Sequence, residues 1–205
     1  MSSILKVDEI QDTSGNNIIN ENAGTVTIGK AGNTTNIVGT LQNDGSGLIS
    51  GITEADQWRI TADHTGVADI TANWERVDTD GFNYIGTGMS ESSGIFTFPS
   101  TGIWLIIFNG SAYTSGGSTG FMRASILTTL NGGSDGYSRA ANSYMSMYTD
   151  GAYSNFKTNF IFDVTNTSQL LCKFGLTQNS SATPKFVGAT NENYTTATFI
   201  RLGDT

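Results

Sequence analysis

Few residues in this chain could carry bond-breaking chemistry. His64 is its one histidine and Cys172 its one cysteine, so any triad or dyad built on an imidazole or a thiolate must use these two positions. His64 lies in Ala62-Asp63-His64-Thr65-Gly66, a polar, turn-like stretch that reads as a solvated loop rather than the seat of a general base. Cys172 shares a strand parity with Leu170 and Phe174, which places it in an apolar core where a thiol stays protonated and inert. A single Cys and a single His also exclude the usual four-ligand zinc sites. The best cation candidate is Asp78-Thr79-Asp80-Gly81, where carboxylates two residues apart at a glycine turn could present oxygens to Ca²⁺. That stretch lacks the later ligands of a complete EF-hand loop, and a plain hairpin turn accounts for the same residues. No other cofactor is suggested.

Aromatic side chains are the remaining functional material. Tyr137, Tyr144, Tyr148 and Tyr153 fall in the Gly- and Ser-rich stretch 134–154, with Met145 and Met147 between them. Exposed tyrosines on loops can bind glycan or protein by stacking a ring and offering a hydroxyl. A period-2 aromatic stripe also packs against a neighbouring subunit, so two roles are open to these four.

The elements that must position these residues are strands. Gly at 25 with only 2 Pro, 14% charged residues and abundant Thr, Ser and Asn describe an all-β chain with many turns. From Gln57 onward, β-rich runs recur at 58–61, 74–77, 95–98, 103–113, 121–130, 139–147, 155–164, 170–176 and 195–202. They are separated by Asp80-Gly81, Asn109-Gly110, Gly116-Gly117, Asn131-Gly132-Gly133 and Asp150-Gly151, which accept the positive φ of tight turns. Strands at this spacing without a convincing helix predict a sandwich or barrel. Phe156, Thr158, Phe160 and Phe162 share one parity and form an inward face. In Ile103 to Phe108 both parities are apolar, as expected of a strand covered on one side by its own core and on the other by a neighbouring subunit.

The first forty-odd residues are different. Short alternations there are broken by Gly and Asn, with too few large side chains to close a core. Ile4, Leu5, Val7 and Ile10 form a short strand expected to dock on something. Val26 and Ile28, then Ile37, Val38 and Leu41, mark two rungs of a β-stalk whose core identical copies of the chain would supply. The expected organisation is an anchoring segment over 1–23, a stalk over 24–42, a linker over 43–55 and one sandwich domain over 56–205.

Charge and hydropathy exclude several partners. The net charge is −8 and Lys and Arg are scattered singly, so no basic face exists to neutralise phosphates and nucleic acid is not expected. No stretch reaches the roughly 20 apolar residues of a membrane helix. Met1 is followed by polar Ser2 and Ser3, unlike a cleaved leader.

Two resemblances follow from particular residues. Ser93-Gly94-Ile95-Phe96-Thr97-Phe98-Pro99-Ser100-Thr101-Gly102-Ile103-Trp104-Leu105-Ile106 resembles the G-x-F-x-x-P-x-x-G-x-Y/W strand, turn and strand of the C1q/TNF-like jelly roll. Ala197 to Leu202 is similar to the closing strand of that family, and Trp74 with Gly81-Phe82 to its opening region. The resemblance implies a ten-strand jelly roll packing as a trimer, with apolar faces around the threefold axis. No collagen Gly-X-Y stalk is present, so complement or adipokine biology does not carry over. Ser3 to Glu21, with Thr25 to Gly29 and Asn36 to Leu41, resembles leaders and stalks of virion structural proteins of tailed bacteriophages, especially marine and cyanobacterial ones.

Together these readings predict a short trimeric β-stalk followed by a C1q/TNF-like jelly-roll β-sandwich. The chain would be a non-enzymatic homotrimer on the virion, made in the host cytoplasm, docked to another virion protein through its N-terminal segment and presenting its tip for host attachment. The alternative is a capsid fibre or decoration protein that stabilises the head. A glycan depolymerase would need paired carboxylates about 5–9.5 Å apart across a groove, and nothing in the sequence singles out such a pair.

Overall fold

A computed structural model describes residues 51–205 throughout and, of the first fifty, residues 9–11, 13, 17–22, 25–28, 32, 34–35, 42–43 and 46–47. The chain divides into two units, Met1–Ser50 and Gly51–Thr205.

In the first unit, β1 (Glu9–Gln11), β2 (Asn17–Asn22) and β3 (Thr25–Ile28) form an antiparallel meander in the order β1-β2-β3. The strand expected in the stalk therefore pairs within its own chain, Ile28 opposite Ile19 and Val26 opposite Glu21. The side chains of Ile10 and Ile28 are exposed. A two-stranded ladder of β4 (Gln42–Asn43) and β5 (Ser46–Gly47) spans the expected boundary between stalk and linker. Ile4, Leu5, Val7, Ile37, Val38 and Leu41, and the side chain of Val26, lie outside the described residues.

The second unit contains β6 (Ala55–Ile60), β7 (His64–Thr65), β8 (Trp74–Arg76), β9 (Ser90–Ser92), β10 (Ile95–Thr97), β11 (Gly102–Ser115), β12 (Thr119–Thr129), β13 (Ser138–Met147), β14 (Tyr153–Val164), β15 (Leu171–Gln178), β16 (Thr183–Phe186) and β17 (Thr196–Gly203). One sheet runs β13-β12-β15-β10-β9. The other runs β14-β11-β17-β6-β8, with β16 and then β7 continuing it beside the far end of β11. Every pairing is antiparallel, and no helix occurs among the described residues. Each strand expected from alternation is present. The short β7, β9 and β16 were not expected, because β7 and β9 have no large aliphatic or aromatic core residue and β16 has one, Phe186, two residues after Pro184.

The core lies between the sheets and is built from inward parities. On β11, Gly102, Trp104, Ile106, Phe108, Ala112 and Thr114 are buried while the alternate residues are partly exposed. Phe156, Thr158 and Phe162 of β14 are buried on the expected inward face, with Phe160 partly so. Leu170, Cys172 and Phe174 are all buried, as their shared parity requires. Aromatic rings dominate. Phe174 lies 4.6 Å from Phe108, 5.5 Å from both Phe96 and Trp74, and 6.1 Å from Phe199, centroid to centroid.

The glycine-phenylalanine-proline-glycine-tryptophan motif owes its residue types to close packing. Gly94 has φ +82°, and a Cβ there would fall 2.1 Å from the Ile70 carbonyl oxygen and 2.8 Å from the Thr71 Cα. Gly102 has φ +143° and no room against the Arg201 side chain and the Gly203 carbonyl. Phe96 and Trp104 fill the core, and the Trp104 indole donates to the Ser100 carbonyl at 3.2 Å. Gly94→Ala should therefore lower the urea midpoint of the full chain. The left-handed backbone alone costs about 1–3 kcal/mol for a residue with a side chain, and the clash is with backbone that cannot swing away. An unchanged midpoint would show that the loop at 70–71 yields freely.

Candidate functional site

His64, expected in a solvated loop, lies instead on a short strand, and Cys172 is in the core as expected. His64 on β7 is half-buried, with Nε2 3.2 Å from the Ala68 carbonyl and its ring tilted against Phe186. Burial pushes its pKa below the ordinary histidine value, opposed by that hydrogen bond and by the nearby Asp69 charge. Cys172 sits on β15 of the other sheet with no exposure, and burial raises its thiol pKa far above the usual range. The two therefore form no dyad.

Asp78 and Asp80 serve different places. Arg59, only 1% exposed, donates from Nη2 to Asp78 Oδ1 at 2.6 Å and to Glu75 Oε2 at 3.4 Å, and from Nη1 to Thr79 Oγ1 at 2.8 Å. A guanidinium thus engages one oxygen of the Asp78 carboxylate, whose side chain is otherwise exposed. Asp80, at φ +55°, borders a polar cleft of about 250 Å³ with Gln57, Thr79, Phe82, Asn191 and Asn193. Among the described residues no group of three or more His, Cys, Asp or Glu is disposed to hold a metal ion.

A second ion pair anchors the loop after β8. Asp56 is buried and accepts from the Trp58 indole at 2.9 Å, from the Met89 amide at 2.7 Å and from Arg76 Nε at 3.1 Å. The Arg76 guanidinium lies over the rings of both Trp58 and Tyr84, at 5.0 and 4.6 Å. These contacts bind β6 to β8 and the following loop, a scaffold role that the sequence did not reveal because the partners are up to 33 positions apart.

The four tyrosines singled out in the sequence do not come together. Tyr137 is half-buried at the turn after β12, with the Lys173 ammonium 4.3 Å from its ring centroid. Burial raises its pKa, with a smaller contribution from Cys172. Tyr144 lies on the outer face of β13, edge-on to Phe121 and beneath the Arg123 guanidinium. Tyr148 is 85% exposed beyond the end of β13. Tyr153 alone belongs to a larger arrangement.

That arrangement is the outer face of the β11 sheet, which divides into two chemistries. Toward the start of β11, Ile161, Leu105, Ile200 and Ala55 lie in one cross-strand row over β14, β11, β17 and β6. Ile103 and Ile107 flank Leu105 on the same face, and Ile161 is 58% exposed. Toward the end of β11, Asn109 faces Lys157, Ser111 faces Asn155 and Tyr113 faces Tyr153. Tyr113 and Tyr153 stack at 5.1 Å and 29°, and the Lys185 ammonium of β16 lies 5.2 Å from the Tyr113 ring centroid. Tyr113 donates its hydroxyl to Asp63 Oδ2 at 2.6 Å, and this bond raises the phenol pKa above its ordinary value. Sequence reading missed Tyr113, Lys185 and Asp63. Only the pairing of β11 with both β14 and β16 assembles them.

Two antiparallel sheets in this order, closed over an aromatic core, define an all-β jelly roll of the TNF-like kind. The chain is similar to crystal structures of murine APRIL, at pH 8.5 with 14% identity, TM-score 0.51, and coverage of 73% of this chain and 98% of that one. It is also similar to the structure of Eiger TNF from S. frugiperda, at 10% identity, TM-score 0.55, and coverage of 76% of this chain and 96% of that one. Identities this low speak for the fold alone. No protein-family model matches the chain, and no curated protein is significantly similar to it in sequence.

Proposed function

We propose that this chain is a non-enzymatic, homotrimeric structural protein of a tailed-bacteriophage virion, and that its jelly roll is the adhesive tip. The observation that carries the assembly is the apolar row Ile161, Leu105, Ile200 and Ala55 with its neighbours Ile103 and Ile107. Each of these side chains faces away from the chain's own core on a sheet that its core already covers from behind. A second and third copy are the occupants that fit the resemblance to C1q/TNF-like domains, because head-to-tail contacts between copies around a threefold axis close into a ring and cover an apolar face turned toward that axis. The resemblance of the Gly94 to Leu105 motif to C1q/TNF-like domains supports the same assembly. The virion assignment rests on the leader residues Ser3 to Glu21, and attachment there would be through Ile4, Leu5, Val7 and Ile10.

Immunogold labelling of intact particles tests this reading. Label at the tail, together with adsorption of the purified protein to host cells, is the expected result. Label confined to the head would instead make it a decoration protein, and absence from particles would remove the virion role. Release of saccharide fragments from host polysaccharide by the purified protein would overturn the non-enzymatic reading.

A further inference from the structure

We infer that the outer face of the β13-β12-β15 sheet binds an acidic saccharide, with the Arg123 guanidinium receiving a sugar carboxylate beside the rings of Tyr144 and Phe121. The inference rests on the adhesion reading and gives it a ligand class and a place.

The place follows from the sandwich. The core lies between the two sheets, so this face points away from the β11 outer face on which copies would meet, and closing a ring there leaves it turned outward. Its charge is unlike that of the whole chain. The sequence holds 18 Asp and Glu against 10 Lys and Arg, yet β12, β13 and β15 carry Arg123, Arg139 and Lys173 and no carboxylate. Lys173 is paired at 2.6 Å with Asp69, which comes from outside these strands. Arg123 and Arg139 have no carboxylate in ion-pair reach among the described residues. Packing this face against the same face of another copy would enclose those charges unpaired, which is strongly unfavourable.

Arg123 is already positioned. Met122 and Ala124 on either side of it point into the core with no exposure, so its own side chain rises from the opposite face. Tyr144 and Thr177 flank it in one cross-strand row. Its Nε donates to Thr177 Oγ1 at 2.9 Å and its Nη1 to Tyr144 Oη at 3.3 Å. A guanidinium has five N–H donors, so three stay free on Nη1 and Nη2, enough to take a carboxylate through two parallel bonds. Tyr144 is 61% exposed, and Phe121 steadies its ring edge-on at 5.6 Å. Groups ordered in advance lose little freedom on binding.

The composition selects the partner. A carboxylated sugar offers an anion to the guanidinium, an apolar C–H face to the Tyr144 ring, and hydroxyls to the Tyr144 oxygen. From Arg123 the face continues along β12 and β13 as a shelf of small polar groups, Ser125 bonded to Asn142 at 2.9 Å, and reaches Arg139 opposite Leu127. The two arginine rows lie four β12 positions apart, about 13–14 Å, so a chain with repeated carboxylates can meet both. A protein interface centre is apolar and depleted in Ser, whereas the middle of this face is Ser125 and Asn142. Two free guanidiniums are too few for a nucleic-acid backbone. Three copies would present three such faces, so weak single sites gain avidity on a repetitive glycan surface.

The test is binding of the labelled full chain to a printed array of bacterial capsular oligosaccharides containing uronic acids, the same oligosaccharides with their carboxyl groups reduced, and polyglutamate. Retention on a subset of the acidic saccharides is expected, lost on carboxyl reduction and at least tenfold weaker for Arg123→Gln and for Tyr144→Ala. Lys185→Gln, the same change of charge on the other sheet, should bind as the parent does. Circular dichroism and light scattering of Arg123→Gln should match the parent. Retention of no saccharide, equal retention after carboxyl reduction, or equal binding by Arg123→Gln overturns the inference. Retention on polyglutamate alone also overturns it, in favour of an acidic protein, and a change of assembled mass in Arg123→Gln overturns it by making this face a contact between copies. Adsorption to host cells that is undiminished in Arg123→Gln would sink the site while leaving the adhesion reading intact.

Discussion

Ile161→Lys should turn an assembled trimer into a monomer without unfolding the chain. Light scattering of the parent should return three times the 21.7 kDa chain mass, and the variant should return that mass once. Ile161 is more than half exposed in the single chain, on an edge strand opposite Leu105, so a lysine there reaches water. Surface changes of that kind move stability by only about 0.5 kcal/mol. In the trimer the same ammonium would be enclosed by apolar rows of a neighbour, and an unpaired buried charge costs several kcal/mol. Each 1.4 kcal/mol is about tenfold in affinity, so the dissociation constant should rise by about a thousandfold or more. Thermal melting of the variant at high dilution should match that of the dissociated parent. A variant that keeps the parental mass would place the assembly elsewhere, and a parent that is monomeric at micromolar concentration would remove the trimer altogether.

Phe174→Ala should be among the most damaging single changes in the fold. Its ring has no exposure and touches four aromatic rings drawn from both sheets. Truncating a buried Phe costs about 3–5 kcal/mol, since the lost transfer energy is joined by a cavity that a rigid aromatic cluster cannot refill. Against a total stability of about 5–15 kcal/mol, that is a large fraction. For a domain of this size it corresponds to a fall in melting temperature of about 10 °C. Phe174→Leu keeps most of the volume and should lose distinctly less. Calorimetry of the two variants decides, and equal, small losses would mean that the cluster relaxes around the gap.

Much of this was legible in the residues. The period-2 burial of β14 and the shared parity of Leu170, Cys172 and Phe174 follow from local alternation, which needs no knowledge of neighbours. The Gly94 to Trp104 motif was readable because each position answers a packing demand: positive φ with backbone contact at Gly94, core filling at Phe96 and Trp104. The two apolar parities of Ile103 to Phe108 marked a strand with a second face to cover. By contrast, the tyrosines were grouped by closeness in sequence. Tyr137 and Tyr148 flank β13, Tyr144 stands on its outer face, and Tyr153 opens β14 in the other sheet, so adjacency in the chain did not gather the four.

The sequence by itself determined the fold class, the inward faces and the inert state of Cys172, because alternation and burial are properties of a strand and its own residues. Only the tertiary structure decided what stands beside what. Tyr113 meets Tyr153, Lys185 and Asp63 through pairings that span 40 to 72 positions, and Arg59 meets Asp78 from 19 positions away. Cross-strand register is set by the joint packing of two sheets, and no local pattern along the chain encodes it.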